Sequence, residues 1–334
     1  MPTNRTRYSF LSPMSISDSV SVFFAALDFF SIPGQDKVRK TIAIPQTNNG
    51  IHPLPAGSFM DYIKALNILA EPDRHMQNIR KLLNKMEGVG LLVPMGNSGS
   101  VFFPTNYYFL KELTEREKKG RFWLSECLGP EYVYKFFGNL IIHIVGMTSD
   151  GDEHGGTGVI INDKLVLTCK HVIDEMVIND TQFINGSQIK VVNTHTHNEI
   201  DVGIIEFEPN SFIVNGNVCF DSPHLNDDIY VLGYPPIPYS KEVAPIMQKG
   251  EITNPEITTL DNHTVFLFSA IARPGNSGGP IIARNGRILG IVTKELSLQE
   301  SNNFPFFAGI PTNEIVTALS DMGFGGILPV ENYQ

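Results

Sequence analysis

The sequence predicts an α+β chain of two unlike parts, a mainly helical domain over residues 1–136 followed by an all-β domain over 137–334. Three observations carry this reading. Apolar residues recur at helical spacing in the first part, and short β-rich runs broken by turn residues fill the second. Charge divides at the same place. Residues 1–136 hold 16 Lys and Arg against 12 Asp and Glu, a net +4, and the remainder holds 9 against 23, a net −14. With 334 residues, 42% of them hydrophobic, the chain has material for two or three ordinary cores.

In the first part, F-M-D-Y-I-K-A-L-N-I-L-A (59–70) places Tyr62, Ile63, Leu66 and Leu69 on one helical face, and Glu71-Pro72 stops it. A second helix fits M-Q-N-I-R-K-L-L-N-K-M (76–86), with Ile79, Leu82, Leu83 and Met86 as its stripe, and gives out near Gly88 and Gly90. L-L-V-P (91–94), the turn G-N-S-G (96–99) and S-V-F-F-P (100–104) read as a small hairpin. Helix, turn, helix, hairpin resembles a winged-helix module. Arg80, Lys81 and Lys85 on the second helix would then face nucleic acid, but +4 over 136 residues falls far short of the basic stripe of a DNA binder. The expectation is a solvated face on a regulatory or interaction domain. The run Lys111 to Arg121 mixes both signs and predicts an exposed helix.

The stretch S-V-S-V-F-F-A-A-L-D-F-F (19–30), behind Arg5 and Arg7, has the outline of a secretion signal, but Asp28 interrupts it and no small-x-small cleavage site follows. No apolar run reaches the roughly 20 residues of a membrane span. Cys127, Cys169 and Cys219 are odd in number and widely spaced, which writes neither a disulfide framework nor a structural zinc site. The expectation is a cytoplasmic protein with no membrane, metal or cofactor requirement.

From about Phe137 the runs N-L-I-I-H-I-V-G, G-V-I-I-N-D-K-L-V-L-T, I-D-V-G-I-I-E-F, D-I-Y-V-L-G-Y, T-V-F-L-F-S-A and R-I-L-G-I-V-T read as strands. So many short strands point to a barrel or sandwich. Asn285-Gly286 marks a hairpin.

The turn I-A-R-P-G-N-S-G-G-P-I-I (271–282) could be no more than a reversal built from Pro274, Gly275, Gly278, Gly279 and Pro280. Upstream, His171 follows a strand in V-L-T-C-K-H-V-I, and Asp201 opens one in N-E-I-D-V-G-I-I-E-F. Singly, each residue has an ordinary structural role. The order His, Asp, Ser is nonetheless one of the chain orders of a nucleophilic triad. With G-T-G-V-I-I (156–161) and L-G-Y-P (232–235), these segments resemble the protease domain of the trypsin-like serine peptidases over residues 137–325. The HtrA (Deg) type is the nearest match, because it has Asn where Asn276 stands.

The resemblance implies a double β-barrel endopeptidase acting on protein or peptide substrates, with His171 and Asp201 from the first barrel and Ser277 from the second. His171 would take the Ser277 proton as the hydroxyl attacks the carbonyl and later return it to the leaving amine. Asp201 would hold the imidazole tautomer. The N–H groups of Gly275 and Ser277 would form the oxyanion hole. Ile271, between Ala270 and Ala272, would floor an apolar pocket for the residue before the cut, and Val292, Thr293, Lys294 and Glu295 would pair with the substrate backbone.

Two departures bear on regulation. Val172 stands where digestive relatives carry a cysteine, and neutral Asn276 cannot anchor the new ammonium that switches those relatives on. The 57 residues after Ser277 suffice to finish a second barrel and leave no room for a PDZ domain. Control is therefore expected from the N-terminal domain through a protein partner or ligand. Two other readings are an idle protease fold used for binding, and a DNA-bound regulator whose protease half acts on itself or a partner. His195 and His197 form an H-x-H that reads as a metal pair or, with no third ligand nearby, as part of a polar loop. Cys169 reads as a small buried residue.

Overall fold

The computed structural model describes residues 14–45, 52–293 and 306–333. Backbone contacts divide the chain into two compact units. One is Met1–Leu113 with Glu126–Glu131, and the other is Thr114–Ser125 with Tyr132–Gln334.

The first unit packs α1 (Ile16–Phe30), α2 (Gln35–Thr41), α3 (Phe59–Ala65) and α4 (Met76–Gly88) with a hairpin of β1 (Leu92–Asn97) and β2 (Thr105–Phe109). Ser15 caps α1 by accepting from the Asp18 N–H. The buried rings Phe29 and Phe30 meet Phe59 at 5.2 and 5.5 Å, and Phe30 meets Tyr107 at 5.5 Å. The segment with the outline of a secretion signal is thus a core helix of this unit. Among the described residues, no helix is long and apolar enough to cross a membrane. The α4 stripe Ile79, Leu82, Leu83 and Met86 is buried. α3 is shorter than its periodicity suggests: Asn67 turns left-handed at φ 50° and the Ile68 N–H bonds back to the Ile63 carbonyl. Leu66 is left exposed and Leu69 buries beyond the break.

The hairpin differs from expectation too. Its second strand is Thr105–Phe109, not residues 100–104, because polar side chains capture the intervening backbone. Asn97 Oδ1 accepts from the Gly99 N–H, Ser98 Oγ from the Ser100 N–H and Ser100 Oγ from the Phe103 N–H.

The second unit begins with α5 (Glu115–Lys119), started by a capping box between Thr114 and Glu117. This mixed-charge run was expected to be an exposed helix, yet Glu117 is buried. Its carboxylate lies 3.2 Å from the Arg287 guanidinium, which also holds Glu331 at 2.6 Å. The partner lies 170 residues away, which local charge patterning cannot reveal. α6 (Ser125–Leu128) falls mostly in the first unit, and α7 (Pro130–Phe137), mostly in the second, precedes the sheets in the chain.

A seven-stranded antiparallel sheet follows, made of β3 (Ile141–Met147), β4 (Glu153–Ile160), β5 (Leu165–Thr168), β6 (Val177–Ile178), β7 (Thr181–Ile184), β8 (Ser187–Thr196) and β9 (Gly203–Phe207). Its order is β6-β3-β4-β5-β9-β8-β7, and α8 (Lys170–Asp174) interrupts it after β5. The remaining strands are β10 (Asp228–Gly233), β11 (Ile246–Thr258), β12 (Thr264–Phe268), β13 (Pro280–Ala283), β14 (Ile288–Val292) and β15 (Phe307–Pro311). They close into a barrel in the order β10-β11-β12-β15-β14-β13, and α9 (Thr312–Asp321) follows. Ile229, Val231, Ile252, Phe266, Ile281 and Leu289 fill the closed barrel's core. Asn285-Gly286 does join β13 to β14, with Gly286 at φ 82°. β8 and β11 escaped the sequence reading because both are long, largely solvated strands without a clean apolar alternation.

Candidate active site

β5 carries a fully buried run, Leu165 to Thr168, and Cys169 then caps α8, whose second residue is His171. The strand end therefore delivers the imidazole to the sheet edge. Asp201 sits at the bend before β9, which pairs with β5 through Thr168 and Gly203. The two side chains meet directly. His171 Nδ1–H donates to Asp201 Oδ2 at 2.7 Å and lies 3.0 Å from Oδ1, and the His171 backbone N–H donates to Oδ1 at 2.9 Å. Thr293 Oγ1 donates to Oδ2 at 2.6 Å. Burial alone would push the Asp201 carboxyl up, but the hydrogen bonds from His171 and Thr293 outweigh it and hold the group below the usual carboxylate range.

Ser277 lies in the turn between β12 and β13. It shares a cleft of about 420 Å³ with His171, Gly275, Val292, Thr293 and Phe307. The turn is tied to the first sheet by Thr157 of β4, a fully buried residue. The Thr157 N–H donates to the Ser277 carbonyl at 2.9 Å, and its hydroxyl donates to the Gly275 carbonyl at 2.6 Å. The N–H groups of Gly275 and Ser277 find no internal acceptor among the described residues. Thr157 itself is fixed by the Tyr234 N–H, donating to its Oγ1 at 2.9 Å, and by the Thr168 hydroxyl, donating to its carbonyl at 2.8 Å. Gly275 stands at φ 91° and Gly278 at φ 81°. A Cβ on Gly278 would come within 2.2 Å of the Thr157 carbonyl, so the turn requires glycine there.

The structure thus brings His171, Asp201, Ser277, Gly275, Val292 and Thr293 to one place, although Thr293 does so through its hydroxyl on Asp201. Ile271 is placed differently. It is 49% exposed and does not border the cleft. Its neighbours Ala270 and Ala272 pack into the barrel core instead, and the apolar wall of the cleft comes from Ala272, Val292 and Phe307. Lys294 and Glu295 lie outside the described residues. Thr157 was missed as a site residue even though its motif was legible, because nothing local shows a hydroxyl reaching across 118 residues.

Asn276 is 2% exposed and its Oδ1 has no hydrogen-bond partner among the described residues. A carboxylate in that position would need a counter-charge, whereas the amide needs none. Cys169 is fully buried, with its Sγ 3.1 Å from the Val292 carbonyl. Its sulfur, with His171 and Asp201, forms a set of potential ligand atoms within 4.8 Å of one another. His195 is the penultimate residue of β8, and His197 lies just beyond its end. His197 Nδ1 accepts from the N–H groups of Glu199 and Ile200 and its Nε2 lies 3.3 Å from Asp321, so that ring serves the loop.

Residues 156–291 match the family model described as "Trypsin-like peptidase domain". Among curated proteins the chain is similar to two from Arabidopsis thaliana. The putative mitochondrial protease Do-like 12 is 32% identical over 167 residues, 46% of this chain, and Do-like 3 is 28% identical over 193 residues, 52% of this chain. The chain spans 32% of the length of each. Among solved structures, the active form of the Rv3671c protease from M. tuberculosis aligns at 19% identity and TM-score 0.48, covering 59% of this chain and 88% of that one. A serine endoprotease from Yersinia pestis aligns at 21% identity and TM-score 0.45, covering 57% and 65%.

Proposed function

We propose that this protein is a serine endopeptidase of the HtrA or Do-like kind, with Ser277 as nucleophile, His171 as general base and then acid, and Asp201 as the group that orients the imidazole. The observation that carries the reading is the doubly hydrogen-bonded His171–Asp201 pair in one cleft with Ser277. Asp201 accepts both the ring and the backbone N–H of His171, which fixes the Nδ1–H tautomer and leaves Nε2 as the base. The N–H groups of Gly275 and Ser277 receive the developing oxyanion, and the turn that carries them is braced through its Gly275 and Ser277 carbonyls by Thr157 and through its Asn276 carbonyl by the Gly279 N–H. A wall of Ala272, Val292 and Phe307 selects a small or medium apolar residue before the cut. That selection is modest, since one methylene in such a pocket is worth about 1–3 kcal/mol. The test is labelling of Ser277 by a fluorophosphonate probe together with cleavage-site mapping on an unfolded protein. Absence of both in a folded sample, or equal labelling of Ser277→Ala, would leave the domain as a binding module.

The N-terminal unit is the proposed regulator, restraining the peptidase until a partner or ligand binds. Asn276 gives no purchase for activation by a new chain terminus, so another control is needed. A chain beginning at Thr114 keeps Glu117 on Arg287 and is the proper comparison with the full chain. Equal activity of the two at low and high salt would remove the regulatory role.

A further inference from the structure

A second cavity of about 300 Å³ adjoins the cleft of His171 and Ser277 and has no part in the chemistry above. His143, Tyr234, Pro235, Pro236, Ile237 and Val243 supply its aromatic and apolar lining, and Glu153, Ser240, Lys241 and Glu242 line it as well. The two cavities have His154, Gly155, Pro274 and Gly275 as a common border. We propose that this cavity selects an aromatic side chain on the second residue after the scissile bond, with His143 and Tyr234 as its floor. The inference rests on the peptidase reading and adds the leaving-side specificity of the same site.

Position follows from strand geometry. The scissile carbonyl is held at the Gly275 N–H, on the border between the cavities. A substrate bound as an added strand alternates its side chains, so residues on the same face are two apart, about 6.6–6.8 Å along the chain. With the residue before the cut against Ala272, Val292 and Phe307, the next residue on that face is the second after the cut. It lies across the Pro274-Gly275 border, over the second cavity.

Chemistry follows from the lining. The His143 and Tyr234 rings lie 5.4 Å apart at 39°, an arrangement that can accept a third ring at offset or edge geometry. Burial holds the His143 imidazole below its ordinary range, against the opposing influence of Glu153, so the floor is an uncharged ring. The floor is also fixed in place. A Cβ on Gly155 would lie 2.5 Å from His143 Nε2, the Tyr234 N–H is bound to Thr157, and Pro235 and Pro236 stiffen the loop that follows. A preformed site of this kind costs little ordering on binding.

The experiment uses the full chain and a set of internally quenched peptides with Val before the cut, identical except for Phe, Tyr, Leu, Ala or Asp at the second residue after it. The expected kcat/KM ratio of Phe to Ala is about tenfold or more, as suits the burial of one ring. Tyr234→Ala and His143→Ala should each bring that ratio close to one, while the ratio between Val and Gly before the cut stays as in the parent. Both are ratios within one sample, so a partly folded variant does not distort them. Binding of the same peptides to Ser277→Ala gives a reading that needs no turnover, with the Phe peptide about tenfold tighter than the Ala peptide. Absence of cleavage with that binding preference intact would overturn the peptidase reading and support the cavity's. A wild-type ratio near one, equal binding of the two peptides, or a Phe preference that survives both substitutions would overturn the proposal.

Discussion

Replacing Thr293 with Val removes the 2.6 Å hydrogen bond to Asp201 Oδ2 and leaves a β-branched side chain of similar shape. Oδ2 then keeps a single donor, the His171 ring. A hydrogen bond to a charged group contributes about 1.5–3 kcal/mol and one to a neutral group about 0.5–1.5 kcal/mol, so its loss raises the native carboxyl pKa by the difference between the two. The Asp201 value is depressed in the native state, so the stability it gives is present above the unfolded value of about 4 and is lost as pH falls through the native one. The variant should therefore lose about 1.5–3 kcal/mol in neutral solution. The deficit should shrink toward about 0.5–1.5 kcal/mol once acid has protonated the carboxyl in both proteins. Urea unfolding followed through the single tryptophan, Trp123, which is buried in the second unit, reads this difference across a pH series. A deficit of the same size at every pH, or none in neutral solution, would show that the Thr293 hydroxyl does not act through an ionised Asp201.

Ser277→Ala and His171→Ala should each lower kcat by a factor on the order of 10⁴ to 10⁶, and the double variant should be no worse than either, as steady-state kinetics on an apolar peptide would show. Arg287→Met should destabilise the second unit by about 3–5 kcal/mol, because it strands the Glu117 and Glu331 carboxylates in buried positions, and thermal unfolding should register it as a clear fall in Tm. Glu117→Gln, which keeps a hydrogen-bonding group against the guanidinium, should cost less. Gly278→Ala should lose fluorophosphonate labelling even where circular dichroism reports a folded sample, since its Cβ meets the Thr157 carbonyl and its φ of 81° costs about 1–2 kcal/mol for an L-residue.

What was legible in the sequence is what depends on neighbours along the chain. The α4 stripe, the fully buried run of β5 and the Asn285-Gly286 turn all declare themselves within a dozen residues. His171, Asp201 and Ser277 could be picked out because their flanking motifs are local, and the structure brings the three to one cleft edge. What stayed hidden is set by pairs distant in sequence: Thr157 on the Ser277 turn, Thr293 on Asp201, Glu117 on Arg287. Solvated strands such as β8 carry too little apolar alternation to announce their period. Ile271 was placed in the pocket by position in a motif, whereas its neighbours Ala270 and Ala272 pack into the barrel core and leave it exposed.

Arg287 also bears on when this domain can be finished. Its buried guanidinium takes one carboxylate from Glu117, near the start of the second unit, and another from Glu331, near its end. During synthesis those two residues leave the ribosome far apart in time. At about 5–20 residues per second, the 214 positions between them take roughly 10–40 s. For the last 44 of those positions, roughly 2–9 s, Arg287 has been made but has only one of the two partners, and β15, which closes the barrel, is added within that span. The nascent chain therefore passes Ser277, His171 and Asp201 out of the ribosome before the cation that binds the two ends of the unit is neutralised.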